Sequence, residues 1–268
     1  MPRAIPILLL FACLPAHAGQ TPWQDIAPDT KARLVSSDVL DAQGRMLIGL
    51  ELDMPAGVKT YWRVPGETGL PTNFEFSASR GIADPQVHWP YPLIDTKSGY
   101  VDFAYYGPTV LPALVRPEPG AQLALSVTLG ICSDICVPAT ADFVLPMQWH
   151  APDAGNGIRL RQAMAQAPLP WDQATPAIAG VTYDGVEERL EVSFTPDSLD
   201  PSSVIADSGA AGALFGAPQI GPKPGVLYLP LLGKGILGGL EGQPISFTFM
   251  TDGGAYEQVL PIGAALAE

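Results

Sequence analysis

The sequence predicts an all-β protein, a β-sandwich followed by a second, smaller β-rich domain. Three observations carry this. Glycine (28) and proline (29) are both abundant among the 268 residues, a mix that suits short strands and tight turns rather than long helices. Short apolar runs recur along the chain, several with the period-two alternation of a half-buried strand. Turn formers punctuate these runs at sandwich-like intervals. With 47% hydrophobic residues, the chain can bury a core and is unlike a disordered one.

The elements follow in order. Ala32 to Leu40 and Arg45 to Met54 read as two strands joined by the turn Asp41-Ala-Gln-Gly44. In the second, Met46, Ile48, Leu50, Leu52 and Met54 share one face while Glu51 and Asp53 point away. The segment Lys59 to Pro71 sets aromatic residues among turn formers, Asn73 to Ser77 alternates, and Val87 to Pro92 is held extended by its prolines. Gly99 to Gly107 is β-prone and aromatic-rich, and Thr109 to Val115, Gln122 to Gly130 and Ala141 to Trp149 read as three further strands. Residues 151–176 form a linker with one predicted helix, Gly157 to Ala167, stopped by Pro168 and Pro170. Strands resume in 177–268 at Val181–Tyr183, Arg189–Phe194, Gly225–Leu231, Ile245–Met250 and Tyr256–Ile262.

Residues 1–18 have the pattern of a secretory leader: Arg3, then the apolar run Ile5 to Leu14, then Ala16-His-Ala18 before Gly19. The run is well short of the roughly 20 residues that span a bilayer. The apolar stretch Gly225 to Leu240 is interrupted by Pro230 and five glycines. An exported protein, outside the cytoplasm, is expected. Without the leader, which holds one basic residue, the net charge moves from −13 to −14. Such acidity speaks against nucleic acid as a partner. There is no phosphate-binding Gly-Lys-Ser/Thr loop and no G-x-S-x-G elbow, so no cofactor is expected. Gly233-Lys-Gly-Ile-Leu-Gly-Gly239 reads as turns.

Cysteine usage is the informative count. Of three cysteines, Cys13 lies in the leader, leaving Cys132 and Cys136. An oxidising compartment lets these two form a disulfide, and they have one possible intramolecular pairing. Around a three-residue loop, Ser133-Asp-Ile135, they would face each other across a hairpin. A staple that closes so short a loop stabilises by roughly 2 kcal/mol, against about 4.7 for a hundred-residue loop. It does keep both thiols together after reduction, as reversible exchange requires. A redox-active pair, a structural bridge and a Cu(I) site made of the same two sulfurs remain as readings. Zinc would need two more ligands, and His88 and His150 stand 62 residues apart.

Three ordered motifs, Thr60-Tyr-Trp-Arg-Val-Pro-Gly-Glu-Thr-Gly-Leu-Pro-Thr72, Trp89-Pro-Tyr-Pro with Tyr105-Tyr-Gly107, and Cys132-Ser-Asp-Ile-Cys-Val-Pro138, make residues 30–150 resemble a known family. This is the N-terminal periplasmic domain of the thiol:disulfide interchange protein DsbD, in the branch that includes suppressor of copper sensitivity protein B. The resemblance implies an immunoglobulin-like sandwich over 19–150 with the pair exposed near one edge. It implies that Cys132 and Cys136 take electrons from a thioredoxin-like or membrane electron-conduit partner and pass them to oxidised periplasmic proteins. It also implies a shielding or positioning role for Tyr61, Trp62, Arg63, Tyr105 and Tyr106. The cysteine spacing is shorter here than in the best-known members. No C-x-x-C occurs in the chain, so electrons are expected to come from a separate partner. Asp134, inside the loop, is expected to disfavour a neighbouring thiolate, with Arg63 opposing it where the fold brings them close.

Overall fold

A computed structural model describes residues 19–97, 99–149, 151–232 and 240–263. The leader, His150 and the run Gly233–Gly239 lie outside the described residues. The first part comprises β1 (Gln24–Ala27), β2 (Thr30–Leu40), β3 (Met46–Asp53), β4 (Lys59–Gly66), β5 (Asn73–Glu75), β6 (Arg80–Val87), β7 (Leu93–Asp95), β8 (Asp102–Tyr106), β9 (Thr109–Cys132) and β10 (Cys136–Pro146). Met46, Ile48, Leu50, Leu52 and Met54 are all buried in its core, as the alternation requires. The β2–β3 turn is built by Asp41, whose carboxylate accepts from the backbone N–H of Gln43 and Arg45.

β9 is one continuous 24-residue strand where the sequence predicts two. Pro117 and Pro119 withhold ladder donors, and Gly120 takes a left-handed φ of 80°. The strand is bent here rather than ended. Before the bend, β9 pairs with β3 and most of β6; beyond it, with β10, β5, the start of β6 at Arg80 and, at its end, Lys59 of β4. One strand thus serves both faces of the sandwich, a corner device of orthogonally packed sheets. Beyond the bend, Leu123, Leu125, Val127, Leu129 and Ile131 face the core, opposite Ala139, Ala141, Phe143 and Leu145 of β10. This register runs unbroken to Cys132↔Cys136.

Helix α1 spans Ala154–Met164, earlier than the predicted Gly157–Ala167, because Asp153 caps it by accepting from the Asn156 N–H. The helix is packed on the sandwich: Leu160 is buried over Gly49, where a Cβ would lie 2.6 Å from its Cδ2. A second core follows. β11 (Leu169–Pro170), β14 (Ile205–Asp207), β18 (Pro244–Thr251) and β19 (Gly254–Pro261) form one sheet. β12 (Ile178–Asp184), β13 (Arg189–Phe194), β15 (Leu214–Phe215), β16 (Gln219–Ile220) and β17 (Val226–Leu232) form the other. Leu190, Val192, Leu227, Leu229, Ile245, Phe247 and Phe249 fill the space between them.

The two sandwiches meet through Arg63. Its Nε lies 2.7 Å from Asp207 and its Nη2 2.5 Å from Glu257, while the guanidinium stacks 4.3 Å above the Trp62 ring. Tyr91 donates its hydroxyl to the Ser203 carbonyl at 2.6 Å, and Ile205 is buried in the first core. Arg63→Ala would leave Asp207 and Glu257 facing each other without a cation. We expect it to weaken the joint by about 1–3 kcal/mol, the lower figure reflecting partial exposure. Urea unfolding followed by tryptophan fluorescence and far-UV circular dichroism should then split into two non-coincident transitions. Coincident curves with an unchanged midpoint would count against Arg63 as the tie.

Candidate functional site: a hairpin disulfide on a buried ionic cluster

The cysteine pair closes the tip of the β9–β10 hairpin. Cys132 and Cys136 are bonded (S–S 2.11 Å) across directly paired strand positions, with Cα atoms 4.1 Å apart. Ser133, Asp134 and Ile135 form the loop, all exposed. The two cysteines differ in exposure. Cys132 is 1% exposed and packs with Tyr61, Ala104 and Tyr106, whereas Cys136 is on the exposed side. Apolar side chains are exposed at the hairpin tip and beside it: Ile135 is 75% exposed, Val137 follows Cys136, and Leu70 lies against Gly130 of the same hairpin.

Beneath the disulfide lies a cluster of charges that the sequence reading did not single out. Lys59 of β4 is the backbone partner of Cys132. Its ammonium sits 2.8 Å from Asp102 and 3.2 Å from Asp95, both nearly inaccessible. Asp102 also accepts from the Thr68 N–H (3.0 Å) and hydroxyl (2.6 Å), and the Tyr106 hydroxyl donates to Asp95. Burial works against the Lys59 ammonium, but its hydrogen bonds to Asp102 and Asp95 prevail and raise its pKa. Burial likewise works to raise the Asp95 pKa, yet the Tyr106 hydroxyl, the Lys97 N–H and Lys59 outweigh it, and the carboxyl is held below its ordinary value. The signal was present: Lys59, Tyr61 and Arg63 alternate at the head of the Thr60–Thr72 motif, and Asp102 lies in the aromatic segment before Tyr105.

The residues expected at the site separate into four groups. Tyr61 is fully buried, and its hydroxyl is 3.4 Å from Cys136 Sγ; Tyr106 packs beside it. Trp62 and Tyr105 face the core instead. Trp62 meets Phe103 edge-on at 6.1 Å, and Tyr105 donates to the Pro90 carbonyl at 2.7 Å. Arg63 is committed to Asp207 and Glu257, so its guanidinium is taken up by the second sandwich rather than by Asp134. Asp134 lies on the exposed loop. Alternation separates Tyr61 from Trp62 along β4 and Tyr106 from Tyr105 along β8, since neighbouring residues of a strand point to opposite sides.

A sandwich that presents a disulfide at a hairpin tip, with one cysteine buried and the other exposed, has the arrangement that thiol–disulfide exchange requires. Residues 24–148 match the family model described as thiol:disulfide interchange protein DsbD, N-terminal. The whole fold is similar to a solved structure, the crystal structure of the N-terminal periplasmic domain of ScsB from Proteus mirabilis. The TM-score is 0.71 at 24% identity, covering 92% of this chain and 100% of the other. Among curated proteins none matches significantly. No helix among the described residues is long and apolar enough to cross a membrane.

Proposed function

We propose that the protein is a periplasmic thiol–disulfide relay that receives electrons from a thioredoxin-like or membrane electron-conduit partner and delivers them to oxidised proteins through Cys132 and Cys136. The observation that carries this is the unequal exposure of the two cysteines. An incoming thiolate can reach Cys136, so it attacks there; the Cys132–Cys136 bond breaks and Cys132 departs as a thiolate into its covered position. The partner's second thiol then resolves the mixed disulfide and releases Cys136. In the second half-reaction the Cys136 thiolate attacks an oxidised protein, and Cys132 closes the disulfide again. The exposed apolar side chains of Leu70, Ile135 and Val137 suit a protein partner, since exposed apolar patches mark interaction surfaces. Tyr61 and Tyr106 would shield the inner sulfur, with Trp62 and Tyr105 supporting them from the core and Arg63 fixing the second sandwich.

Trapping tests the order of attack. Reduced Cys132→Ser, mixed with an oxidised thioredoxin-like protein, should accumulate a mixed disulfide through Cys136, while Cys136→Ser should give little. Absence of an adduct from either variant, together with a midpoint potential below about −300 mV, would mark the bond as structural. Copper retained by the reduced wild type but lost in Cys132→Ser would instead favour a Cu(I) role for the same sulfurs.

A further inference from the structure

The Tyr61 hydroxyl is 3.4 Å from Cys136 Sγ. A disulfide sulfur carries no hydrogen, so the phenol is the donor. The ring has little freedom. A Cβ on Gly69 would lie 2.3 Å from its Cδ1, and one on Gly130 would lie 3.3 Å from its Cδ2. The Thr72 hydroxyl also donates to the Tyr61 carbonyl at 2.9 Å. The Lys59 ammonium lies 5.4 Å from the ring centre and is itself fixed by Asp95 and Asp102. Gly69 and Thr72 thus share a physical purpose, which is to seat one phenol against one sulfur.

We propose that Tyr61 is a catalytic hydrogen-bond donor that stabilises Cys136 as a thiolate in the reduced pair, with Lys59 as the positioning residue beneath its ring. This rests on the exchange reading above and adds the group that sets the reactivity of its nucleophile. The step balances without moving the phenol proton. The Cys136 thiolate attacks one sulfur of a protein disulfide, a new S–S bond forms, and the substrate's second sulfur leaves with the electron pair and takes a proton from water. Cys132, as thiolate, then attacks Cys136 Sγ, re-forms the intramolecular disulfide and expels the first substrate sulfur. Two electrons have passed to the substrate. Tyr61 donates to Cys136 whenever that sulfur carries the negative charge, as nucleophile here and as leaving group when the pair is being reduced. Hydrogen bonds to charged groups are the strong ones, so the contact favours the thiolate far more than the disulfide. The ionisable groups facing this contact are Lys59, Asp95, Asp102 and Tyr106 beneath it and Asp134 on the hairpin loop. Burial raises the Tyr61 pKa, partly offset by Thr68 and Lys59, so the phenol remains protonated and able to donate at neutral pH.

The test is the pH dependence of alkylation of Cys136 in the reduced Cys132→Ser protein, with and without Tyr61→Phe. Loss of the hydroxyl should raise the Cys136 pKa by about one unit while the far-UV spectrum is unchanged. Gly69→Ala, which keeps the hydroxyl but displaces the ring, should raise it in the same direction. A Cys136 pKa that stays put or falls in both variants would overturn the role of Tyr61. Should the shift appear in a protein whose wild-type midpoint lies below about −300 mV, the exchange reading fails and the Tyr61 contact stands. Should trapping succeed with no shift, only the role of Tyr61 fails.

Discussion

Lys59→Met is expected to destabilise the protein by about 3 kcal/mol near neutral pH, at the lower end of what breaking a buried ion pair costs. Methionine fills the space of the lysine stem but leaves Asp95 and Asp102, 7% and 2% exposed at their side chains, without a cation between them. The pH dependence follows from the direction of each shift. The Lys59 pKa is raised on folding, so its contribution is complete below the unfolded value of about 10.4 and is lost as pH climbs through the folded one. The Asp95 pKa is lowered, so its contribution is present above about 3.9 and is lost as pH falls through the folded value. The difference between wild type and Lys59→Met should therefore be largest between about pH 5 and 10. It should shrink in acid, where the stranded carboxylates of the variant take up protons. Urea midpoints measured across this range provide the check. A difference below about 1 kcal/mol at pH 7, typical of an exposed pair, would show that the cluster is solvated and not a buried element of the site.

Gly66→Ala should cost a comparable amount, about 2–5 kcal/mol. Gly66 has φ +88°, and a Cβ there would stand 2.2 Å from the Val101 carbonyl oxygen and 2.5 Å from Asp102 Cα. Both obstacles are backbone, so no side-chain rotation relieves them. The left-handed conformation costs an L-residue about 1–2 kcal/mol, and forcing atoms into a packed site adds typically 1–3 kcal/mol. The affected pairing is Gly66↔Asp102, which sets the carboxylate that holds Lys59 and Thr68. The expected result is a lower urea midpoint together with altered alkylation of the reduced cysteines. A variant with wild-type stability and alkylation kinetics would mean that β4 and β8 can separate at this point without disturbing the cluster.

These predictions concern residues whose importance was only partly legible in the sequence. The alternation of Met46 to Met54 reported its buried face directly, because side-chain direction in a strand has a period of two. The facing of Cys132 and Cys136 followed from the three-residue loop between them, but the predicted strands Gln122–Gly130 and Ala141–Trp149 stopped short of both cysteines, whereas β9 and β10 run to them. β9 was misread as two strands because proline and glycine look like an end, whereas here they turn a strand from one sheet into the other. The start of α1 was misplaced because Gly155 and Gly157 weaken its propensity, while the Asp153 cap and the packing of Leu160 on Gly49 overcome that loss.

By itself, then, the sequence determined that Cys132 and Cys136 face each other on a β hairpin, and its ordered motifs pointed to the family. Tertiary structure alone decided which cysteine is exposed, since burial of Cys132 depends on Tyr61, Ala104 and Tyr106 arriving from two other strands. It also decided that Arg63 ties the second sandwich and that Lys59, Asp95 and Asp102 meet beneath the disulfide. Those contacts join residues 36 to 194 positions apart, and no local pattern records a meeting that only the folded sheets bring about.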